Sequence, residues 1–183
     1  MLYIMRHGKT EWNKKQKLQG RTNVPLSDEG RSMAKAAKEE TDKINIDICF
    51  TSPLERARET AEIVLEDRDI PVITDDRLME MSFGEYEGME NYFSNQDSPI
   101  SALFHDPGSY KESAGGAETF EELFQRTGEF LSEQVYPRLK EGKDILIVGH
   151  GAMNSAITCQ IKDMPIEQFW SSGLEQCRIM QLI

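Results

Sequence analysis

The sequence predicts an α/β protein: a three-layer α/β/α sandwich with a mostly parallel central sheet and a short lid insertion. Three observations carry that prediction. Short apolar runs at 2–5, 46–51 and 144–148 each break into a turn marked by glycine or proline. Between them lie stretches whose apolar residues recur at helical spacing, so strands alternate with helices, the pattern of βαβ units whose sheet is covered on both faces. Finally, two of the three histidines follow such strands, in Met5-Arg6-His7-Gly8 and in Val148-Gly149-His150-Gly151. Open α/β sheets bind ligands outside the carboxyl ends of their strands.

Taken in order, residues 2–5 form a buried strand of unbroken apolar character. A helix over 28–41 starts after Ser27, whose hydroxyl suits an N-cap. Residues 46–51 give the second strand. The helix over 53–66 takes Ser52 as its cap and Pro53 in its first turn. Residues 70–73 form a further strand, and Pro71 marks it as an edge position or a strand start. Residues 118–140 form a long acidic amphipathic helix, kinked at Pro137. The strand at 144–148 leads into a helix over 151–162, and residues 177–183 alternate roughly and give a last strand. Residues 89–117 differ. There Asn, Ser, Pro, Gly and aromatic residues mix without a clean period, which predicts an insertion or lid on one domain spanning 1–183. Its Tyr92, Phe93, Phe104, His105 and Tyr110 suit a ring-bearing or partly apolar leaving group, or equally a small core of the lid itself.

The totals narrow the function. A net charge of -11 argues against nucleic acid, which needs a broad basic face, yet leaves room for a small cationic pocket. Cys49, Cys159 and Cys177 are odd in number and lack metal-ligand spacing, so reduced thiols are expected and no metal site is. The first residues lack the basic and long apolar regions of a signal peptide, and no apolar run reaches membrane-spanning length. A cytoplasmic protein that binds no membrane is the expectation.

Several residues carry candidate chemistry. Arg6 places a planar cationic fork beside His7, suited to phosphate. Arg56 falls in the first turn of a helix, where anions are favoured; alone, it reads as a surface arginine paired with Glu55 or Glu59. Glu80, in Leu78-Met79-Glu80-Met81, has apolar neighbours that would raise a carboxyl pKa by desolvation and make it a proton donor. Alone, it reads as one more exposed acid. His105 reads as an ordinary loop histidine or a substrate contact.

An ordered set of motifs ties these residues together. Arg6-His7-Gly8-Lys9-Thr10-Glu11-Trp12-Asn13 is followed by Leu18-Gln19-Gly20 and by Val24-Pro25-Leu26-Ser27 through Gly30. Next come Ser52-Pro53-Leu54-Glu55-Arg56-Ala57 with Thr60-Ala61, then Leu78-Met79-Glu80 with Phe83-Gly84 and Glu87-Gly88. Gly115-Gly116-Ala117-Glu118-Thr119-Phe120 and Gly149-His150-Gly151 complete the set. In this order they resemble the histidine phosphatase superfamily, the phosphoglycerate-mutase-like fold, over nearly the whole chain.

The resemblance implies roles. His7 would attack phosphorus and carry a phosphohistidine. Arg6, Arg56 and His150 would hold the phosphoryl oxygens. Asn13 would add a polar contact, with Gln19 and Gly20 counted in the same substrate-binding set. Glu80 would protonate the leaving oxygen and then activate water. The implied partner is a small phosphorylated metabolite, with no cofactor and no metal; the sequence leaves the oligomeric state open. There are departures. Ala117 stands where the family often has serine, Asn23 where aspartate is common, and Ala152-Met153-Asn154 where an arginine often follows the last histidine. The leading expectation is a phosphomonoesterase. A phosphoglycerate mutase and a phosphate-binding protein without catalysis stand as alternatives: the mutase ranks below because neither a basic residue after Gly88 nor the mutase stretch after Gly151 is present, and the non-catalytic reading because the core positions and Glu80 are intact.

Overall fold

In the computed structural model, which describes every residue except Leu174, the first strand and the penultimate one lie side by side. Strand β1 (Leu2–Arg6) runs parallel to β4 (Ile145–Gly149), in register from Leu2 opposite Ile145 to Arg6 opposite Gly149. On the far side of β4 come β2 (Ile48–Thr51) and then β3 (Val72–Thr74), both parallel. Beyond β1 lies β5 (Ile179–Gln181), antiparallel, giving the order β3-β2-β4-β1-β5 among the described residues. The sheet is thus parallel except at one edge, as the βαβ pattern predicts.

Strand alternation sends side chains to two layers. Met5, Cys49, Leu146 and Val148 face α2 (Asp28–Thr41) and α3 (Glu55–Val64), where they meet Ala34, Ala61 and Val64. Leu2, Ile4, Phe50, Ile145 and Ile147 face Phe130, at the end of α5 (Phe120–Phe130), and Met153 and Ile157 of α7 (Gly151–Lys162). Every residue of β4 is buried, which explains its continuous apolar run. Among the described residues no helix is long and apolar enough to cross a membrane.

Helix α2 spans the predicted residues, with Ser27 Oγ accepting from Gly30 N, and α7 also keeps its predicted bounds. Elsewhere the boundaries shift for identifiable reasons. Helix α3 begins at Glu55, not 53: Ser52 Oγ accepts from Leu54 N in the turn before it, and the Glu55 N–H is taken by Asn23 Oδ1. Ser52 is therefore no cap, and the departure at Asn23 still serves the helix end. The long acidic segment starts two residues late, at Phe120, behind Thr119, which caps it in a capping box with Glu122. Its irregularity is a wide π turn at Leu131–Val135, ahead of α6 (Tyr136–Lys140), rather than a kink at Pro137. A proline offers no N–H and crowds the carbonyl four residues earlier, here Glu133, so the distortion falls upstream of the ring. The short α1 (Glu11–Lys14), capped by Thr10, had no periodic signal at all.

The insertion at 89–117 carries α4 (Ser101–His105) and packs into the molecule. Ile100, Leu103, Phe104 and Tyr110 are buried against Phe120, Phe169 and Ala156. Ala117, one of the departures, is buried in the same cluster.

Candidate active site

The β1–β4 register decides the site. Continuing past the strand ends, His7 N donates to Gly149 O at 2.9 Å. The two histidines that follow these strands stand with ring centroids 5.1 Å apart, edge to face at 61°. Both are buried, His7 with 2 % of its surface exposed and His150 with none. Gly149, just before His150, lets Met153 and Asn154 pack close, because a Cβ there would lie 1.9 Å from Met153 Cε and 2.8 Å from Asn154 Oδ1 and would displace those side chains.

The His7 ring is held in one tautomer. Nδ1 lies 2.7 Å from the Gly8 carbonyl and can only donate to it, so Nε2 carries the lone pair. That Nε2 accepts from Arg56 Nε at 3.2 Å. Burial, then the Arg56 and Arg6 charges, push the His7 pKa well below its ordinary value, against the opposing pull of the Gly8 carbonyl. The ring is therefore neutral at physiological pH, as a nucleophile requires. The His150 pKa is likewise pushed well down, first by burial and then by Arg56 and His7. Neither His150 ring nitrogen has a partner among the described residues, and Arg6 Nε is also buried and unpartnered. Buried polar groups are normally bonded, so such a pair marks a place where a ligand completes the set.

Arg56 is not the surface residue its sequence context allowed. It is 1 % exposed, and Glu59 pairs with Arg31 instead. Each edge of the Arg56 fork has its own acceptor: Nε on His7, Nη1 on Thr22 O at 2.9 Å, and Nη2 on Gly20 O at 2.7 Å. Burial pulls its pKa down to about 10, with Glu80 and Glu87 opposing, and it stays cationic at neutral pH.

Glu80 is buried too, but not among apolar groups as its neighbours in sequence suggested. Leu78 and Met81 turn into the core while the carboxylate sits on the amide end of α7. Its Oε1 accepts from Met81 N at 2.9 Å and Met153 N at 3.0 Å, and Oε2 accepts from Ala152 N at 3.2 Å. A Cβ on Gly151 would lie 3.6 Å from Glu80 Oε2 and 3.7 Å from Arg6 Cζ, so acid and base close around that glycine.

These groups border a cavity of about 470 Å³. Arg6, His7, Arg56 and Glu80 line it, as do Asn13, Gln19 and Gly20; His150 is not among the lining residues, and its ring lies edge to face against that of His7. Asn13 Oδ1 accepts from Thr10 and from Gln176 Nε2, which leaves its amide nitrogen for the cavity. Gln19 Oε1 accepts from Thr10 Oγ1 at 2.8 Å. Gly20, at φ +57°, leaves no room for a Cβ, which would meet Glu87 Oε1. Glu87 is the residue the sequence reading missed. Its carboxylate takes Arg21 N, Thr22 N, Thr22 Oγ1 and Phe83 N, and so fixes the loop whose carbonyls hold Arg56. Its place in Glu87-Gly88 within the motif set was the available signal. His105 is not among the lining residues but packs on one that is: its Nε2 lies 2.6 Å from Phe93 O and its ring centroid 4.8 Å from that of Phe93. Asn154 is buried, and its Nδ2 donates to Met5 O at 3.1 Å, bracing β1.

A family model described as the histidine phosphatase superfamily (branch 1) matches residues 2–183. Among curated relatives, the uncharacterized phosphatase PhoE of Bacillus subtilis is 35% identical over 160 residues, covering 86% of this chain and 75% of that protein. The 2,3-bisphosphoglycerate-dependent phosphoglycerate mutase 2 of Gloeobacter violaceus is 29% identical over 180 residues, covering 97% of this chain and 82% of that protein. Among solved structures, Bacillus stearothermophilus YhfR superposes with a TM-score of 0.82 at 34% identity, covering 93% of this chain and 83% of that one.

Proposed function

Since this chain belongs to the histidine phosphatase superfamily, we propose that it hydrolyses a small phosphomonoester through a phosphohistidine on His7. One observation carries the reading most directly: the Gly8 carbonyl fixes Nδ1–H and leaves the Nε2 lone pair of a buried, neutral ring beside Arg56. In the first step Nε2 bonds to phosphorus as the ester P–O bond breaks. Arg6, Arg56 and His150 bind the equatorial oxygens, where phosphoryl transfer concentrates its charge. The leaving oxygen takes a proton from Glu80, the carboxyl that borders the cavity beside Arg6. In the second step Glu80 takes a proton from water, the hydroxide bonds to phosphorus, and the N–P bond breaks to release inorganic phosphate and restore His7. Positioning and charge supply the catalysis, and no metal enters the steps. Asn13, Gln19 and Gly20 complete the substrate side.

The test is hydrolysis of a chromogenic phosphomonoester by the intact protein, followed by alkaline quenching after brief reaction with labelled substrate. Wild type should hydrolyse the ester and hold acid-labile phosphate on His7; His7→Ala should fold and lose both. A fully active His7→Ala protein refutes the mechanism. The name of the Gloeobacter relative favours a second reading, a mutase. Isomerisation of phosphoglycerate that outpaces its hydrolysis would establish that reading instead.

A further inference from the structure

The cavity changes character away from the phosphoryl groups. The rest of its wall is dominated by Phe83, Tyr92, Phe93, Phe104 and Trp170. Phe104 organises them, with ring centroids 4.9 Å from Tyr92, 5.8 Å from Phe83 and 5.7 Å from Trp170, the last stacked at 28°. Trp170 is fixed, because its Nε1 donates to Leu103 O at 2.8 Å. Tyr92 joins the two regions: Arg6 and Glu80 act on its phenol, which burial pushes above its ordinary pKa. Phe93 is 61 % exposed on the cavity wall, an apolar surface of the kind that a ligand covers. A second cavity of about 310 Å³ shares Asn13, Lys17, Tyr92 and Phe93 with the first, so the bound group has room to extend past Phe93.

Charge restricts the occupant further. Among the described residues lining the main cavity, the cations are Arg6, Arg56 and Lys17, and the carboxylates are Glu80 and Glu175. The phosphoryl group claims both arginines. Lys17 is paired with Glu90 at 3.2 Å and lies 5.9 Å over the Trp12 ring. A carboxylate or second phosphate on the substrate would find no unengaged cation and would face Glu175. Desolvating an anion is costly, and to offset it Lys17 would have to leave Glu90 while Glu175 stays opposed.

We infer that the substrate's leaving group is an alcohol bearing an apolar planar ring and no second anionic group, stacked on Tyr92 and Phe93. This rests on the hydrolase reading above. The overall reaction adds water across the ester P–O bond, releasing the ring-bearing alcohol with its proton and inorganic phosphate.

The experiment compares kcat/KM for benzyl phosphate, butyl phosphate and 3-phosphoglycerate in wild type, Phe93→Ala and Tyr92→Leu. Benzyl and butyl alcohols are similarly basic leaving groups, so their ratio reads recognition rather than chemistry. Wild type should prefer benzyl over butyl, and both over 3-phosphoglycerate. Each substitution should lower the benzyl-to-butyl ratio about tenfold, the scale of one aromatic stack. Phe93 is exposed, so its replacement leaves the fold intact. Calorimetric binding of benzylphosphonate against butylphosphonate repeats the comparison without turnover. Hydrolysis with no benzyl preference, with the variants losing both esters equally, or with 3-phosphoglycerate preferred overturns the ring assignment and leaves the hydrolase reading standing. Benzylphosphonate binding that depends on Phe93, in a protein that hydrolyses none of the esters, supports the ring site and overturns the hydrolase reading.

Discussion

Arg56 makes a demand that only its own side chain meets. Its three bonded edges satisfy one imidazole nitrogen and two carbonyls at once. In Arg56→Lys the charge survives but the fork does not, and at least one buried acceptor loses its donor. An unfolding free energy lower by about 1–3 kcal/mol is expected from urea melts. kcat/KM should fall about 10²-fold or more, because charge on the phosphoryl oxygens is no longer met in the right geometry. The histidines set a pH dependence. Both folded-state pKa values lie well below 6.5, the ordinary value that the unfolded chain restores. Below pH 6.5 the unfolded state therefore binds protons that the folded state refuses, and stability falls as pH falls toward the folded values. Each histidine contributes a slope of about 1.4 kcal/mol per pH unit inside that window. Urea midpoints measured from pH 7 to 5 should show the decline, and His7→Gln should reduce its steepness. A midpoint unchanged over that range would mean that the rings are protonated in the folded protein.

At the scale of elements, Glu80 links two segments distant in sequence, since its carboxylate caps α7 from the loop after β3. Glu80→Gln keeps the size but removes the titrating proton and the charge, and turns an amide NH2 toward a backbone N–H that Glu80 now accepts. An alkyl phosphate, whose departing alkoxide needs that proton, should lose about 10²–10⁴-fold in phosphoenzyme formation. A nitrophenyl phosphate leaves as a stable anion and should lose far less, with burst kinetics as water activation becomes limiting. Equal losses for the two esters in rapid-quench measurements would reduce Glu80 to a positioning residue. The elements also show what a sequence discloses. Helices α2 and α7 were legible to the residue because a cap or a glycine-flanked strand end fixes their starts. Helix α3 was not, since its first amide is bound by Asn23, thirty-two positions earlier in the chain. The wide turn in the acidic segment lies upstream of the proline that explains it, and Glu87 acts through a loop that no periodicity reveals. The role of Glu87 depends on such contacts, whereas His7, Arg6 and His150 were legible because strand ends are visible in the apolar pattern.

For the molecule as a whole, a net charge of -11 surrounds a pocket lined by Arg6 and Arg56. Arg56 is buried and Arg6 half-buried, so salt screens them less than the outer field, which is screened over about 10 Å at 0.1 M. A doubly charged phosphomonoester should thus be repelled at long range and held at short range. Its kcat/KM should rise severalfold between about 0.02 and 0.2 M salt. A steady decline over that range would show that the pocket, not the outer surface, governs approach. The layer order and the parallel sheet were legible from alternation of strand and helix. The antiparallel direction of β5 was not, because a short edge strand reads the same in either direction.

The pairing of β1 with β4 also has a kinetic consequence. His7 and His150 come together only when the first strand and residues 145–149 align in one register. Joining segments so far apart along the chain is among the entropically costly events of folding, and such contacts form slowly. Helices α2, α3 and α7 draw on local bonds and can return sooner. During refolding, circular dichroism should therefore recover ahead of phosphate release, and the reappearance of turnover would time the closing of the sheet's centre.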